Sequence, residues 1–200
     1  MNTPEPNPPA QKTYEVALTV NRYNKIIALS SNWEAVAAEG GAAETLASEN
    51  VIGQELEAFI HSDTTRMYIE SCLKLCRLKN EVLFRQYRCD SPTHKRFMEL
   101  QLTPLEDGAV EMKHFLLKED PFEVPIDIEE VAAESATHAP QYVRCSMCNR
   151  LKPFGAEKWI PPEDLHLTQR QSLKVIYSVC PDCLNAIWHK RTHTKESLEK

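Results

Sequence analysis

The spacing of apolar and polar positions switches between a period of two and helical spacing along residues 13–118. Residues 14–20 and 25–30 read as strands flanking a polar turn at 21–24. Ser31 followed by Glu34 has the spacing of a capping box, so a helix is predicted from near Trp33 through Ala38, stopped by Gly40 and Gly41. Residues 51–60 hold a glycine turn at Gly53 and then a short helical pattern with Leu56, Phe59 and Ile60. Ser62 or Asp63 is placed to cap the next helix. There Ile69, Cys72, Leu73 and Cys76 recur at i, i+3, i+4 and i+7, one buried face. Lys74, Arg77 and Lys79 fall where cations complement the helix dipole, and Asn80 is a natural left-handed stop. Three strands follow: residues 81–89, then 96–105 and 109–118 as a hairpin about Asp107 and Gly108. Val110, Met112, His114 and Leu116 alternate with Glu111, Lys113, Phe115 and Leu117, which leaves the buried face of that strand open. The order β-β-α-α-α-β-β-β predicts an α+β fold, an antiparallel sheet with helices on one face.

The pattern changes on either side of this segment. Residues 1–12 are rich in Pro, Asn and Thr and read as a disordered lead-in. Residues 119–142 carry seven acidic side chains and three prolines, which suits a solvated linker with a short helix over 128–136. Residues 143–190 are too few to build much core without a staple, and 191–200 form a polar tail.

Two C-x2-C pairs supply that staple: Cys145 with Cys148, and Cys180 with Cys183. In a reduced compartment this is the pattern of a tetrahedral four-cysteine zinc site, because each C-x2-C turn brings two sulfurs to one side. The gap, residues 149–179, exceeds the compact spacing and calls for inserted structure. Trp159 and Ile160, a Pro161-Pro162-Glu163-Asp164 turn and a strand over 173–179 provide it. Leu184, Ile187 and Trp188 sit at i, i+3 and i+4, so a short helix is expected after the second pair. With Trp159 and Ile176 they would form a small core around the metal. Four thiolates leave no open position for water, so the zinc is expected to be structural. An iron–sulfur centre is the alternative occupant. His189 or His193 could replace one sulfur, although four cysteines already complete the shell.

Composition and charge narrow the function. A chain 42% hydrophobic and 26% charged is ordinary for a folded protein, and no apolar run is long enough to span a membrane. Residues 1–10 hold four prolines and do not resemble a secretory signal, so a cytoplasmic setting is expected. Residues 1–142 carry a net charge of −10 and residues 143–200 of +4, falling to about +2 if four thiolates bind zinc. That is a weak footprint for nucleic acid. Cys72, Cys76 and Cys89 read as small buried hydrophobes rather than redox groups. Asp90 is placed to lock the Ser91–Pro92 turn, with Arg88 or Arg96 as its partner; a ligand-anion site on those arginines is the sharper alternative.

The element order resembles a PAS domain. Residues 27–117 are similar to bacterial PAS-domain proteins through Leu29-Ser-Ser-Asn-Trp33, Asn50-Val-Ile-Gly53, Asp63-Thr-Thr-Arg66, Tyr87-Arg-Cys-Asp-Ser-Pro92 and Arg96-Phe-Met-Glu-Leu100, with the turn over 104–108. The resemblance implies a sensory or dimerising module, often with a small-molecule pocket, and names no ligand. No Asn-Cys-Arg-Phe-Leu-Gln run of the flavin-binding class is present. His61 and His94, the histidines nearest a haem position, read as helix-entry and loop residues. The stretch from Arg144 to Lys152, Trp159 and Val179-Cys-Pro-Asp-Cys183 looks like the cysteine-paired tail of many bacterial PAS and response-regulator proteins. Those tails often carry a histidine-glycine step where Tyr177 and Ser178 stand here. The expected function is a non-enzymatic signal-transduction protein acting through a protein partner or a second copy of the chain. The alternative is a zinc-ribbon transcriptional regulator touching nucleic acid through Arg144, Arg150, Lys152, Lys190 and Arg191.

Overall fold

The computed structural model describes residues 15–60, 62–131 and 139–186. The first sheet has the order β2-β1-β5-β4-β3 and is antiparallel throughout. Its strands are β1 (Val16–Val20), β2 (Ile26–Leu29), β3 (Leu83–Arg88), β4 (His94–Pro104) and β5 (Val110–Pro121). Helices α1 (Trp33–Glu39), α2 (Ser48–Val51) and α3 (Asp63–Lys79), with a 3-10 turn at Leu56–Phe59, cover one face. This is the α+β arrangement that the element order predicted, an antiparallel sheet with helices on one face. Among the described residues no helix is long and apolar enough to cross a membrane.

Local chemistry explains the elements. The Ser62 hydroxyl accepts from the Thr65 backbone N–H at 3.2 Å and opens α3; Asn80, at φ 49°, closes it. Cys72, Leu73 and Cys76 face the sheet as expected, joined by Tyr68, while Ile69 is half-buried. The thiols are small enough to bring α3 close to the sheet: Cys76 Sγ lies 3.6 Å from the Leu102 carbonyl oxygen. Burial pushes the Cys76 thiol up to about 11 and Cys72 upward too, as suits inert core residues. Arg77 does more than complement a dipole. It donates to the carbonyls of Gly108 and Asn21 and to Asn24 Oδ1 at 2.8–3.0 Å, tying the end of α3 to two turns.

The expected capping box is not made. Asn32 precedes α1 without a side-chain cap, and Glu34 instead accepts from the Ser48 backbone N–H at 2.8 Å. A tertiary acceptor role took the carboxylate from its local one. The β4–β5 hairpin turns at Asp107 (φ 54°) and Gly108 (φ 73°). A Cβ on Gly108 would lie 3.2 Å from Arg22 Cβ, so both the backbone angle and the space require glycine. The face left open by alternation is resolved: Val110 and Met112 are buried with Leu18, Val20, Leu100 and Leu102 against the helices, while Phe115 is buried on the opposite side.

The acidic stretch 119–142 departs from the expectation of a solvated linker. Residues 119–121 complete β5, and β6 (Ile126–Glu130) pairs in parallel with β9 (Gln171–Ser178). Ile126 and Ile128 alternate with Asp127 and Glu129, a period of two, so a strand buries the isoleucines where a helix would not. Asp127 is held by a bidentate Arg170. The expected helix over 128–136 is therefore a strand as far as Glu130, and residues 132–138 lie outside the described residues.

The second sheet has the order β6-β9-β7-β8, with β7 (Tyr142–Cys145) parallel to β9 and antiparallel to β8 (Leu151–Pro153). Helix α4 (Pro181–Ala186) follows β9. Its own core is Ile126, Leu151, Leu173 and Val175; of the group expected around the metal, Trp159 packs against the cluster that holds the cysteines, while Ile176 and Leu184 do not join it. The β9 alternation puts Leu173 and Val175 on one face and Ile176 on the other, and Leu184 on α4 is exposed. Ile187 and Trp188 lie outside the described residues.

The cysteine turns of the second unit pack into the core of the first sheet. Cys145, Met147, Val179 and Cys180 are buried in the same cluster as Tyr68, Cys72 and Leu100. The Arg88 backbone N–H donates to the Met147 carbonyl at 2.6 Å, and Thr65 Oγ1 donates to Ser146 Oγ at 2.6 Å.

Candidate metal centre and adjoining cavity

Parallel pairing of β7 with β9 creates the cysteine site. Strands running in the same direction end at the same edge, and Cys145 pairs with Ser178, two residues before Cys180. Each C-x2-C pair therefore begins where its strand stops. After Cys145 the chain turns tightly: the Asn149 N–H donates to the Cys145 carbonyl, and Asn149 takes φ 59°. After Cys180, Pro181 starts α4, where its missing N–H costs nothing.

The four predicted ligands converge. One ligand atom from each of Cys145, Cys148, Cys180 and Cys183 lies within 4.8 Å of all the others. The Cys148 and Cys180 sulfurs are 3.7 Å apart. A tetrahedron with ~2.3 Å Zn–S bonds has an edge of ~3.8 Å, so the spacing fits a four-thiolate ion. Cys145 and Cys180 are buried, and Cys148 and Cys183 are half-buried. The Cys145 thiol is held far below the ordinary thiol range, first by Cys148 and then by Cys180 and Cys183 donating to it. The Cys148 and Cys183 thiols are pushed up in return. Ionising one thiol thus opposes ionising its neighbours, a repulsion that a cation bound among them would relieve. The Cys180 N–H donates to Cys145 Sγ at 3.3 Å, a second contact that supports a thiolate. Arg150 spans the two pairs by donating to Asp182 at 2.6 Å. Four sulfurs complete a tetrahedral shell, so the arrangement can hold an ion and leaves no place for a reacting water.

Of the basic residues read as a nucleic-acid contact, the three among the described residues each have a partner or are buried. Arg144 is buried, Arg150 is paired, and Lys152 stacks 5.7 Å from the centre of the Trp159 ring. Lys190, Arg191, His189 and His193 lie outside the described residues, as does His61. His94 opens β4, where its Nδ1 is 2.9 Å from Thr93 Oγ1. Cys89 was expected to be buried; it is exposed, one residue past the end of β3, where its backbone N–H still donates to the Arg96 carbonyl of β4 at 3.0 Å.

Asp90 has the turn-locking role. It accepts from Arg88 Nε and a terminal nitrogen at 3.1 and 2.7 Å, and from the Arg96 backbone N–H at 3.1 Å. Arg88 also reaches both oxygens of Glu163 in the second unit at 3.2 Å. The Arg96 side chain goes elsewhere, to Glu15.

One feature escaped the sequence reading. A cavity of about 570 Å³ lies between the first sheet, α3 and the cysteine unit. Tyr87 Oη and His114 Nδ1 meet on it at 2.7 Å. Burial pushes His114 down to about 4, so it is neutral at pH 7. The available signal was a polar residue in register with Val110 and Met112 on the apolar face of β5.

No family model and no curated protein matches the chain. Among solved structures, a domain of an HTR-like protein from Haloarcula marismortui is similar over 52% of this chain and 97% of its own, at 13% identity and a TM-score of 0.38. A superposition this loose leaves function to be argued from the site.

Proposed function

We propose that the chain is a non-enzymatic cytoplasmic signal-transduction protein. Its PAS-like sheet and helices sense or dimerise. A structural zinc ion on Cys145, Cys148, Cys180 and Cys183 holds a second unit in place for a protein partner. The observation that carries this reading is the convergence of four sulfurs within 4.8 Å at the edge of a unit whose cysteine turns pack into the core of the first sheet. A metal there would stiffen a joint between two units, which suits signalling rather than turnover. The burial of Arg144, and the pairing of Arg150 with Asp182 at the surface, weigh against the nucleic-acid alternative.

The test is native mass spectrometry and metal analysis of the full chain prepared without chelator. One zinc per chain is expected, lost in Cys148→Ser/Cys183→Ser together with the near-UV circular dichroism of the second unit. A metal-free chain that is fully folded would falsify the reading. One metal per chain that proves to be iron overturns the choice of zinc. A gel shift at low salt is expected to show no DNA binding.

A further inference from the structure

We propose that the cavity between the first sheet and the cysteine unit binds a small carboxylate with an apolar body, gripped by Arg144 and Asn149. Its apolar wall comes from the first unit, with Leu18, Leu100 and Met112 of the sheet and Ile69 of α3. The cysteine unit contributes Arg144, Ser146, Met147, Asn149 and Tyr177 to the lining. Arg144 is 8% exposed and Asn149 4%, and both line the cavity. Arg144 Nε and Asn149 Nδ2 are buried without a hydrogen-bond partner among the described residues. The guanidinium's remaining hydrogen bond is a 3.4 Å contact to Tyr177 Oη, and no carboxylate of the described residues pairs with it.

A buried guanidinium without a counter-ion is costly, and a buried amide donor without an acceptor adds to the cost. Nearby acids do not meet the need. Asp90 also lines the cavity, but its oxygens accept from Arg88 and the Arg96 N–H. Glu163 is held by Arg88. The charge of Arg144 is therefore left unmatched in a space that also presents Leu18, Ile69, Leu100 and Met112. An anion satisfies the arginine, acceptor oxygens satisfy both donors, and an apolar body covers the leucines and methionine. A volume of about 570 Å³ is ample for a small ligand.

The site is composite, and Arg144 and Asn149 flank Cys145 and Cys148 in the chain. Occupancy is thus linked to the metal, since each ligand stabilises the same packing of the two units. This linkage rests on the metal reading above; the carboxylate site does not.

The probes are straight-chain acids from butanoate to decanoate, titrated calorimetrically into the zinc-loaded full chain. Matched primary amides and inorganic phosphate serve as comparisons. One saturable site is expected, with the best acid at least tenfold tighter than its amide, since a charge-assisted hydrogen bond contributes about 10- to 100-fold. Arg144→Met should weaken it by at least tenfold with zinc retained. Asn149→Asp keeps a residue tolerant of the left-handed turn, and should weaken it similarly should Arg144→Met not fold. Leu100→Phe should shift the optimum to a shorter acid. Competition with a chromophoric chelator should show zinc held more tightly in the presence of the acid. A metal-loaded chain that binds none of the acids at millimolar concentration, or that binds amides or phosphate equally well, overturns the carboxylate site alone. Unchanged binding in a zinc-loaded Arg144→Met does the same. A metal-free folded chain that binds the acid overturns the linkage and the metal reading together, and leaves the carboxylate site standing.

Discussion

Replacing Asp90 with alanine tests how the two units are tied. The Asp90 side chain is 4% exposed and that of Arg88 10%, so their bidentate pair is almost dry. Removing one member of a buried pair costs about 3–5 kcal/mol, because the other charge stays behind. Here Glu163 remains 3.2 Å from Arg88, but it is 35% exposed and solvent screens it, so it recovers about 1 kcal/mol or less. The Arg96 N–H also loses its acceptor. The expected loss is about 2–4 kcal/mol. It is read as a lowered urea midpoint at unchanged slope for the full zinc-loaded chain. Arg88→Met removes the stranded charge while keeping an apolar body against Phe97, whose ring centre lies 5.2 Å from the guanidinium. The double variant should therefore cost less than the two single losses added together, with a coupling of about 2 kcal/mol. A coupling below about 0.5 kcal/mol would refute the reasoning, since it would mean that Arg88 and Asp90 act independently.

Two further outcomes follow from the same kind of accounting. The folded pKa of His114 is depressed to about 4 from 6.5, so its contribution is complete above pH 6.5 and is lost as pH falls toward 4. About 2 kcal/mol should go between pH 7 and 5, and His114→Leu should lack that part of the slope; equal slopes in both proteins would exclude a buried neutral imidazole. Gly108→Ala meets both a φ of 73° and the Arg22 Cβ at 3.2 Å, so a loss of about 1–2 kcal/mol is expected in thermal melts. A neutral result there would mean that the β4–β5 turn reshapes freely.

Chain-local chemistry was legible in the residues themselves. Ser62 as cap, Asn80 as left-handed stop, the Cys72–Cys76 face and the Asp107–Gly108 turn are each decided within a few positions, and each is found as read. The two cysteine pairs were legible for the same reason, since a C-x2-C turn is a local geometry. Partners distant in sequence were not. Glu34 had two open choices, its own helix start or Ser48, and only packing selected the second. The acidic composition of 119–142 hid a two-residue alternation, because a five-residue edge strand is worth little until β9 lies beside it. The parallel pairing that gathers four sulfurs, the burial of Arg144 and the cavity at the junction depend on two units meeting across shared apolar surface. Residue types and spacing determined which groups could bind a cation; the tertiary structure decided that they face one another. Local hydrogen bonds act within a turn of chain, whereas burial is a property of everything that packs around a side chain.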